Sequence, residues 1–318
     1  MKSAAMLAAY AAAQDPESPL SGLEVGERPE PDVPDGWELV TVRAATLNHH
    51  DLWSLRGVGL PEERLPMILG CDAAGVTADG REVVLHAVVD DEQGWSIFSE
   101  RHQGTFAERV AVPRANLLDK PAKLSFAEAA CLPTAYLTAY RMLFVRGALR
   151  PGQRVLIQGA GGGVATAAIL LAAGAGIEVT VTSRDEGRLE RARELGAHVT
   201  LGSGERVPNR VDVVIETVGK ATWKHSIRSV AEHGKIVVAG ATSGFDPSAE
   251  LRHVYYRQLD VLGSTMGTRD ELRDLVNFLA VTQIRPVIDS ERPLSEARDA
   301  FARMEAGEEF GKLALTSG

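Results

Sequence analysis

A run of glycines follows an apolar, β-branched segment near the middle of the chain. Residues 155–166 read VLIQGAGGGVAT, and an alanine-rich stretch with the composition of a helix continues to residue 173. Glycines let the backbone turn sharply and approach a ligand, and the N–H groups that begin a helix attract an anion. The spacing that fits best has alanine in two of the glycine positions of G-x-G-x-x-G, at Ala160 and Ala165. The segment therefore predicts a loop that holds a dinucleotide through Ala160, Gly162, Gly163 and Val164.

A second predicted strand, 178–183, comes about 20 residues after the glycines, where such a loop expects the group that contacts the adenosine ribose. This strand ends in Ser183 and Arg184. A hydroxyl and a guanidinium suit a 2′-phosphate, because the fork of arginine matches phosphate oxygens. We therefore expect NADP(H) as the cofactor. The alternative is that Asp185 contacts the ribose, and Arg188, one turn farther on, is either a second cation for the phosphate or an ordinary surface residue.

Composition excludes several classes of function. The net charge of -9 without a basic block argues against a nucleic-acid partner, because phosphate backbones need clustered cations. No apolar run approaches the length of a membrane span, and we interpret the alanine-rich N-terminus as a first strand rather than a signal peptide. The two cysteines, Cys71 and Cys131, have no paired spacing, so we expect no disulfide and a cytoplasmic location.

The front of the chain and its middle differ in pattern. Up to residue 123, short β-forming runs, such as 38–44, 82–89 and 106–112, alternate with Pro, Gly and Asp clusters, which indicates an irregular β-rich domain. Ser125 with Glu128 three residues later then predicts the capping box of a helix.

Strands and helices alternate from there onward. The predicted strands cover 154–158, 178–182, 211–216, 235–239 and 260–263, and the predicted helices cover 163–173, 185–195, 221–232 and 269–280. Such alternation predicts an α/β fold with a doubly wound parallel sheet, which binds its ligand at the carboxyl ends of the strands.

Taken together, these features resemble the medium-chain dehydrogenase/reductase superfamily over nearly the whole chain, and within it the zinc-independent quinone oxidoreductase branch most of all. The resemblance rests on the segments LNHHDLW at 47–53, ILGCDAAG at 68–75, GTFAERV at 104–110, LTAY at 137–140, VDVVIETVG at 211–219, LGSTMGT at 262–268 and FGKLAL at 310–315.

The resemblance implies an organisation and a set of contacts. Residues 1–123 and 268–318 would form a GroES-like catalytic domain, and residues 124–267 a Rossmann domain between them. Two copies would form a homodimer by antiparallel pairing of strands near 260–264. The nicotinamide end of the cofactor would lie against Thr138, Val218, Gly240, Thr242, Ser264 and Met266.

The resemblance also says where a catalytic zinc would bind. Its three ligands fall on Asn48, Cys71 and Thr134, and an amide, a thiol and a hydroxyl are not the nitrogen and sulfur ligands that zinc prefers. The loop 90–104 contains no cysteine for a structural zinc. One alternative stays open, a rearranged site built from His49, His50, Cys71 and Asp72. Our expectation is that the chain binds no metal.

Without a Lewis acid the oxidation of an alcohol is difficult, whereas a conjugated electrophile is easier to reduce. We therefore expect a small-molecule electrophilic substrate, a quinone or an α,β-unsaturated carbonyl. Asn48 would donate to the developing oxygen anion, His50 would supply a proton near neutral pH, and Asp51 would orient His50 or hold the loop. Each of the three residues also has a purely structural explanation. The alternatives are an alcohol or aldehyde dehydrogenase and a non-catalytic NADPH-binding protein.

Overall fold

The computed structural model describes residues 5–317, so residues 1–4 of the predicted first strand lie outside it. In chain order the strands are β1 Ala5–Ala11, β2 Leu23–Pro29, β3 Trp37–Thr46, β4 Met67–Ile68, β5 Asp72–Thr77, β6 Glu82–Leu85, β7 Val88–Asp91, β8 Gly94–Ile97, β9 Arg109–Pro113, β10 Leu117–Asp119, β11 Arg154–Gln158, β12 Glu178–Ser183, β13 Val199–Gly202, β14 Val211–Glu216, β15 Val230–Val238, β16 Asp260–Gly263, β17 Ile288–Pro293 and β18 Lys312–Thr316.

The α-helices are α1 His49–Leu55, α2 Phe126–Ala130, α3 Leu137–Tyr140, α4 Gly163–Gly174, α5 Glu186–Glu194, α6 Lys220–Ser229, α7 Leu251–Tyr256, α8 Arg269–Thr282 and α9 Ala297–Glu305. Two π-helical segments, Leu132–Tyr136 and Arg141–Arg146, flank α3. The predicted capping box of α2 is confirmed, because Ser125 Oγ accepts from Glu128 N at 3.1 Å and Glu128 Oε2 accepts from Ser125 N at 2.7 Å.

The chain divides into two compact units. Within the described residues, unit 1 contains residues 5–134, 268–276 and 285–317, and unit 2 contains Ala135–Gly267 and Asn277–Ile284. Helix α8 contributes residues to both units. The domain boundary predicted between residues 123 and 124 stays a prediction.

Unit 1 is built from β-sheets. Its largest sheet has the order β10-β6-β5-β3-β18-β17, with β9 also paired to β3, and β2-β1-β4 and the hairpin β7-β8 form smaller sheets. Strand β3 is central, because its last residue Thr46 pairs with Asp72 of β5 on one side and with Ala314 of β18 on the other. The end of β3 is thereby surrounded by residues from both ends of the chain.

Unit 2 contains one fully parallel sheet of order β13-β12-β11-β14-β15-β16. Leu156, Val214 and Ile236 of the sheet pack with Ile227 of α6 in a buried apolar cluster. The registers pair Gln158 with Thr182 and Val238 with Gly263, so the carboxyl ends of the strands meet at one edge. The sheet and the β-rich unit 1 confirm the predicted α/β class.

Some predicted boundaries were wrong for identifiable reasons. The predicted helix 221–232 ends at Ser229, because Val230 already pairs with Val211 of β14. The predicted strand 82–89 is interrupted at His86 and Ala87, where the Asn116 side chain donates to the carbonyls of His86 and Val88. Strand β13 and helices α7 and α9 had no counterpart in the predicted elements. Among residues 5–317, no helix is both long and apolar enough to cross a membrane.

Candidate functional site

A cluster of polar side chains lies at the end of β3 in unit 1. It consists of Asn48, Cys71, Asp72, Thr134 and Lys312, which we call the polar cluster. The backbone register explains how residues so far apart in sequence meet. The pairing of Thr46 with both Asp72 and Ala314 places the residues that follow β3 beside the turn before β5 and the start of β18. The three positions at which the resemblance located zinc ligands, Asn48, Cys71 and Thr134, are thus brought together.

Asp72 is the acceptor at the centre of the polar cluster, and its side chain is fully buried. Its Oδ1 accepts from Thr134 Oγ1 at 2.6 Å, and its Oδ2 accepts from Asn48 Nδ2 at 2.9 Å and from Thr46 Oγ1 at 3.2 Å. Lys312 Nζ lies 3.5 Å from the same Oδ2. The carboxylate is therefore compensated by hydroxyl and amide donors and by one ammonium group.

Lys312 and Asn48 fix each other's orientation. The Lys312 side chain is 2% exposed, and Nζ donates to Asn48 Oδ1 at 2.6 Å and to the carbonyl of Leu47 at 2.5 Å. An ammonium group can only donate, so the amide oxygen of Asn48 must face Lys312 and its NH₂ must face Asp72. One amide N–H is taken by Asp72, whereas the other contacts of Nδ2 are weak, a long one at 3.4 Å to Thr46 O and one at 3.5 Å to Cys71 Sγ, a poor acceptor.

The polar cluster does not fit a zinc ion. Of the residues at the three ligand positions only Cys71 is a usual zinc ligand, and burial raises the pKa of its thiol well above the ordinary value, which disfavours the thiolate that zinc binds. The Lys312 ammonium already pairs with the carboxylate that would otherwise attract a cation. Across residues 5–317, no group of three or more His, Cys, Asp or Glu side chains is arranged to hold a metal ion.

Asp51 fastens the loop at the start of α1. Its Oδ2 accepts from Asn48 N at 2.8 Å and its Oδ1 accepts from Gly70 N at 3.0 Å. Burial raises the pKa of Asp51 to about 7, although both backbone N–H groups and Lys312 act in the opposite direction. These contacts favour the loop-holding role over the orientation of His50, and a catalytic role for Asp51 stays a prediction.

His50 lies on the first turn of α1, apart from the polar cluster. Its Nε2 is 3.5 Å from Ser54 Oγ. Burial lowers the pKa of His50 to about 4, so the ring is neutral near pH 7. The expectation of a charged proton source near neutral pH is therefore not supported by this environment. The neighbouring His49 is exposed.

In unit 2, the glycine loop connects β11 to α4. Gly159 has a φ of +85°, which favours glycine, and Gly162 is the N-cap of α4 with open space where a side chain would begin. A Cβ at Gly161 would lie only 2.8 Å from Nη1 of Arg188. The loop therefore leaves room for a ligand at the start of α4, beside a guanidinium group. Such a cradle fits the pyrophosphate of a dinucleotide.

Ser183, Arg184 and Asp185, at the end of β12 and just after it, differ in what their side chains contact. Asp185 is the N-cap of α5, and its Oδ1 accepts from Arg188 N at 2.8 Å. Ser183 Oγ accepts from Asp185 N at 3.1 Å. Arg184 is exposed. One carboxylate oxygen of Asp185 is thus committed to its own helix, whereas the Arg184 side chain extends into solvent and the Arg188 guanidinium reaches the glycine loop.

The predicted nicotinamide contacts are spread along the same edge of the sheet. Val218 follows β14, Gly240 and Thr242 follow β15, and Ser264 and Met266 follow β16. Backbone bonds join these segments, including Thr242 N to Thr217 O at 3.4 Å and Ser264 N to Val238 O at 2.8 Å. Met266 has a φ of +47°, an unusual conformation for a residue with a side chain. Thr138 lies on α3 and is 7% exposed.

A buried carboxylate, Glu216, supports the loop that contains Val218. It accepts from Val218 N and Gly219 N at 2.9 Å each, from Thr222 Oγ1 at 2.9 Å and from Ser226 Oγ at 2.6 Å. The network continues through Gln158 to Thr182 of β12. It therefore ties together the carboxyl ends of three neighbouring strands.

Sequence reasoning missed Lys312 and Glu216. From the sequence, Lys312 is recognised only within the segment FGKLAL, and Glu216 only as the last residue of a predicted strand. The available signal was the same in both cases, a charged residue beside an apolar strand sequence, KLAL or VVIE. A charge that the fold must bury needs a partner, but the sequence does not say which one.

Comparison with known proteins gives two family matches. Residues 34–122 match the alcohol dehydrogenase GroES-like domain, and residues 163–281 match the family described as zinc-binding dehydrogenase. The first match confirms the predicted GroES-like character of the front of the chain.

Individual relatives cover most of the chain. It is 30% identical to a zinc-type alcohol dehydrogenase-like protein of Schizosaccharomyces pombe, over 93% of this chain and 96% of that protein. It is also 30% identical to a 2-methylene-furan-3-one reductase of Solanum lycopersicum, over 90% of this chain and 73% of that protein. Among solved structures, an NAD-dependent alcohol dehydrogenase matches with a TM-score of 0.89 and 34% identity, over 98% of this chain and 100% of that one.

Proposed function

The chain belongs to the medium-chain dehydrogenase/reductase superfamily and is an oxidoreductase, and from this premise we propose that it reduces a quinone or an α,β-unsaturated carbonyl with NADPH and without a metal. The observation that carries the proposal is the polar cluster. Its ligand positions hold an amide, a protonated thiol and a hydroxyl, and its carboxylate is paired with Lys312. Such a site offers hydrogen bonds to a developing anion rather than a Lewis acid.

The choice of NADPH rests on the residues after β12. Arg184 is exposed, and the Arg188 guanidinium lies against Gly161 of the glycine loop. Two cations and the Ser183 hydroxyl suit a 2′-phosphate, whereas Asp185 is engaged as a helix cap. When bound, NADPH supplies a hydride to the conjugated carbon of the acceptor. Thr138, Ala160, Gly162, Gly163, Val164, Val218, Gly240, Thr242, Ser264 and Met266 would hold the remainder of the cofactor.

In this proposal Asn48 stabilises the negative charge that develops on the acceptor oxygen. The amide N–H that makes only weak contacts, to Thr46 O and Cys71 Sγ, is the available donor, and the bond from Lys312 to Oδ1 makes the amide a stronger donor by polarisation. Asp51 keeps Asn48 in place through the backbone. His50 in its neutral form would at most pass on a proton that ultimately comes from solvent.

The names of the relatives support two different reactions. The tomato protein is named for the reduction of a ketone conjugated to a methylene group, which matches the proposed reaction. The solved relative is named as an NAD-dependent alcohol dehydrogenase, so oxidation of an alcohol, or reduction of an aldehyde, is the second candidate.

The first experiment is anaerobic stopped-flow oxidation of bound NADPH after a chelator wash, with a simple quinone, an enone and an aldehyde as acceptors. We expect oxidation with the quinone or the enone in the absence of metal. Activity confined to the aldehyde and dependent on added zinc would replace the proposal by the alcohol dehydrogenase alternative. Tight NADPH binding without turnover of any acceptor would indicate a binding protein.

The cofactor choice has its own test. Arg184→Asp replaces an attraction to the 2′-phosphate by a repulsion, so the Kd for NADPH should rise much more than the Kd for NADH. Arg228→Asp, the same change at an exposed residue of α6, is the control and should affect the two cofactors equally. Unchanged selectivity in Arg184→Asp would refute the assignment.

We also propose that the chain forms a homodimer and resides in the cytoplasm. Strand β16 is the edge strand of the parallel sheet, and Val261 on it is 46% exposed, so a second copy can add its own β16 in antiparallel pairing. Both cysteines are free and buried, as expected in a reducing compartment.

A further inference from the structure

We propose that the ammonium group of Lys312 supplies the positive charge of the polar cluster, in place of a metal ion. Lys312 acts on the reaction by holding the amide of Asn48 in one orientation and polarising it. Lys312 is a positioning residue in this scheme, because it is 2% exposed and acts through Asn48. The inference deepens the role given to Asn48 in the proposed function, on which its kinetic test rests; its metal-binding test does not rest on that function.

The first support is that the ammonium group of Lys312 has three oxygen atoms around it, one for each of its N–H groups. Nζ donates to Leu47 O and Asn48 Oδ1 and lies 3.5 Å from Asp72 Oδ2. A lysine that merely packed its stem would place the charge in water instead. Burial of the whole side chain is costly unless the charge has partners, and two of the three partners here, Asn48 and Asp72, belong to the polar cluster.

The second support is the direction of the hydrogen bonds. Lys312 donates to Asn48 Oδ1, and Asn48 Nδ2 in turn donates to Asp72 Oδ2. Thr134 donates to the other carboxylate oxygen of Asp72. An ammonium at the amide oxygen withdraws electron density from the nitrogen, so the second N–H, which contacts Thr46 O and Cys71 Sγ, becomes a better donor.

The third support is the comparison with metal chemistry. A metal ion at this site would have to displace the ammonium group from Asp72 and deprotonate the buried Cys71 thiol, both of which oppose binding. Lys312 is supplied by β18, the last strand of the chain, whose register places it across from Asn48. The fold therefore provides this charge without any ligand.

The kinetic arm compares Lys312→Met with wild type. We expect kcat for the enone or quinone to fall roughly tenfold to a hundredfold, as when an anion-stabilising donor is weakened, with little change in the Kd for NADPH. Asn48→Ala should cause a similar loss, and the double variant should be no slower than the slower single variant, because the two residues act through one group. Additive losses would overturn the inference.

Two further variants separate this role from folding. Lys120→Met is the matched control: Lys120 is another buried lysine of unit 1, with its side chain 5% exposed and paired with Glu82 at 3.1 Å, and its loss should lower the melting temperature but not kcat. If Lys312→Met does not fold, Asp72→Asn/Lys312→Met removes both charges together and is used in its place. Full kcat in the double charge-removed variant would overturn the inference.

The final arm needs no turnover, so it remains informative if the proposed function fails. Zinc chloride is titrated into chelator-washed wild type while the melting temperature is followed. We expect no stoichiometric rise, because Lys312 already supplies the charge. A rise with one zinc per chain that disappears in Cys71→Ser would show that a metal is the cation of the site and would overturn the inference.

Discussion

Asp72 in unit 1 and Glu216 in unit 2 are both buried carboxylates at strand ends, but they are stabilised differently. Asp72 has an ammonium partner, Lys312, in addition to amide and hydroxyl donors. Glu216 has only neutral donors, two backbone N–H groups and two hydroxyls. Its partners come from the ten residues that follow it, whereas those of Asp72 come from three distant parts of the chain, around residues 46–48, at Thr134 and at Lys312.

The difference shows two ways to build a rigid site. A local network such as that of Glu216 forms whenever its strand, loop and helix form, so it supports the loop that contains Val218 with little dependence on the rest of the protein. The polar cluster around Asp72 exists only after β3, β5 and β18 are paired. We infer that a charge carried by a distant strand makes the unit 1 site more sensitive to substitution than the unit 2 site.

The largest effect should follow Asp72→Asn. It leaves the Lys312 ammonium buried without its counter-ion, and breaking a buried pair in this way costs about 3–5 kcal/mol of unfolding free energy. The midpoint of urea unfolding measures the loss. Asp119→Asn is the control, because Asp119 is 82% exposed and its ion pair with Arg81 should contribute almost nothing.

The Asp72 prediction has an internal check. Adding Lys312→Met to Asp72→Asn removes the uncompensated charge, so the double variant should recover much of the lost stability. If the double variant is less stable than Asp72→Asn alone, the charge on Lys312 is not the source of the loss, and the contrast with Glu216 disappears.

A smaller effect should follow Glu216→Gln. The amide oxygen can still accept from Val218 N and Gly219 N, and the hydroxyls of Thr222 and Ser226 can rotate to accept from the new NH₂ group. We expect a loss of about 1–3 kcal/mol from the weaker hydrogen bonds, and a modest rise in the Kd for NADPH through the Val218 loop. Urea unfolding and NADPH titration measure the two effects.

The same contrast explains what the sequence revealed about unit 2. Predicted strands 154–158, 211–216 and 260–263 agree with β11, β14 and β16, because local pattern determines where such strands begin and end. The glycine loop and the residues Ser183 to Arg188 also form a local motif. Strand β13 had no counterpart, because Val199–Gly202 is short and is ordered by pairing with β12.

In unit 1 local pattern was less informative. The positions Asn48, Cys71 and Thr134 were brought together by analogy with a family, and the structure brings them together in fact. Lys312 was not found, because its role depends on the register between β18 and β3, which no local pattern encodes. His50 was expected to titrate near neutral pH, and burial, a tertiary property, lowers its pKa to about 4.

The last prediction concerns a third buried carboxylate, Asp51, and its neighbour His50. Burial raises the pKa of Asp51 from 3.8 to about 7, so its protonated form favours the folded state at low pH, and that stability is lost as pH rises toward 7. Burial lowers the pKa of His50 from 6.5 to about 4, so its neutral form contributes stability above pH 6.5 that is lost as pH falls.

These two effects have opposite signs over the same pH range and largely offset each other in the wild type. His50→Asn removes one of them, so between pH 5 and 7 the variant should lose about 1 kcal/mol more unfolding free energy than wild type as pH rises. Urea unfolding at several pH values measures the slope, with His233→Asn, an exposed histidine of unit 2, as the control. A parallel slope in His50→Asn and wild type would mean that His50 keeps its ordinary pKa, which would restore it as a proton source near neutral pH.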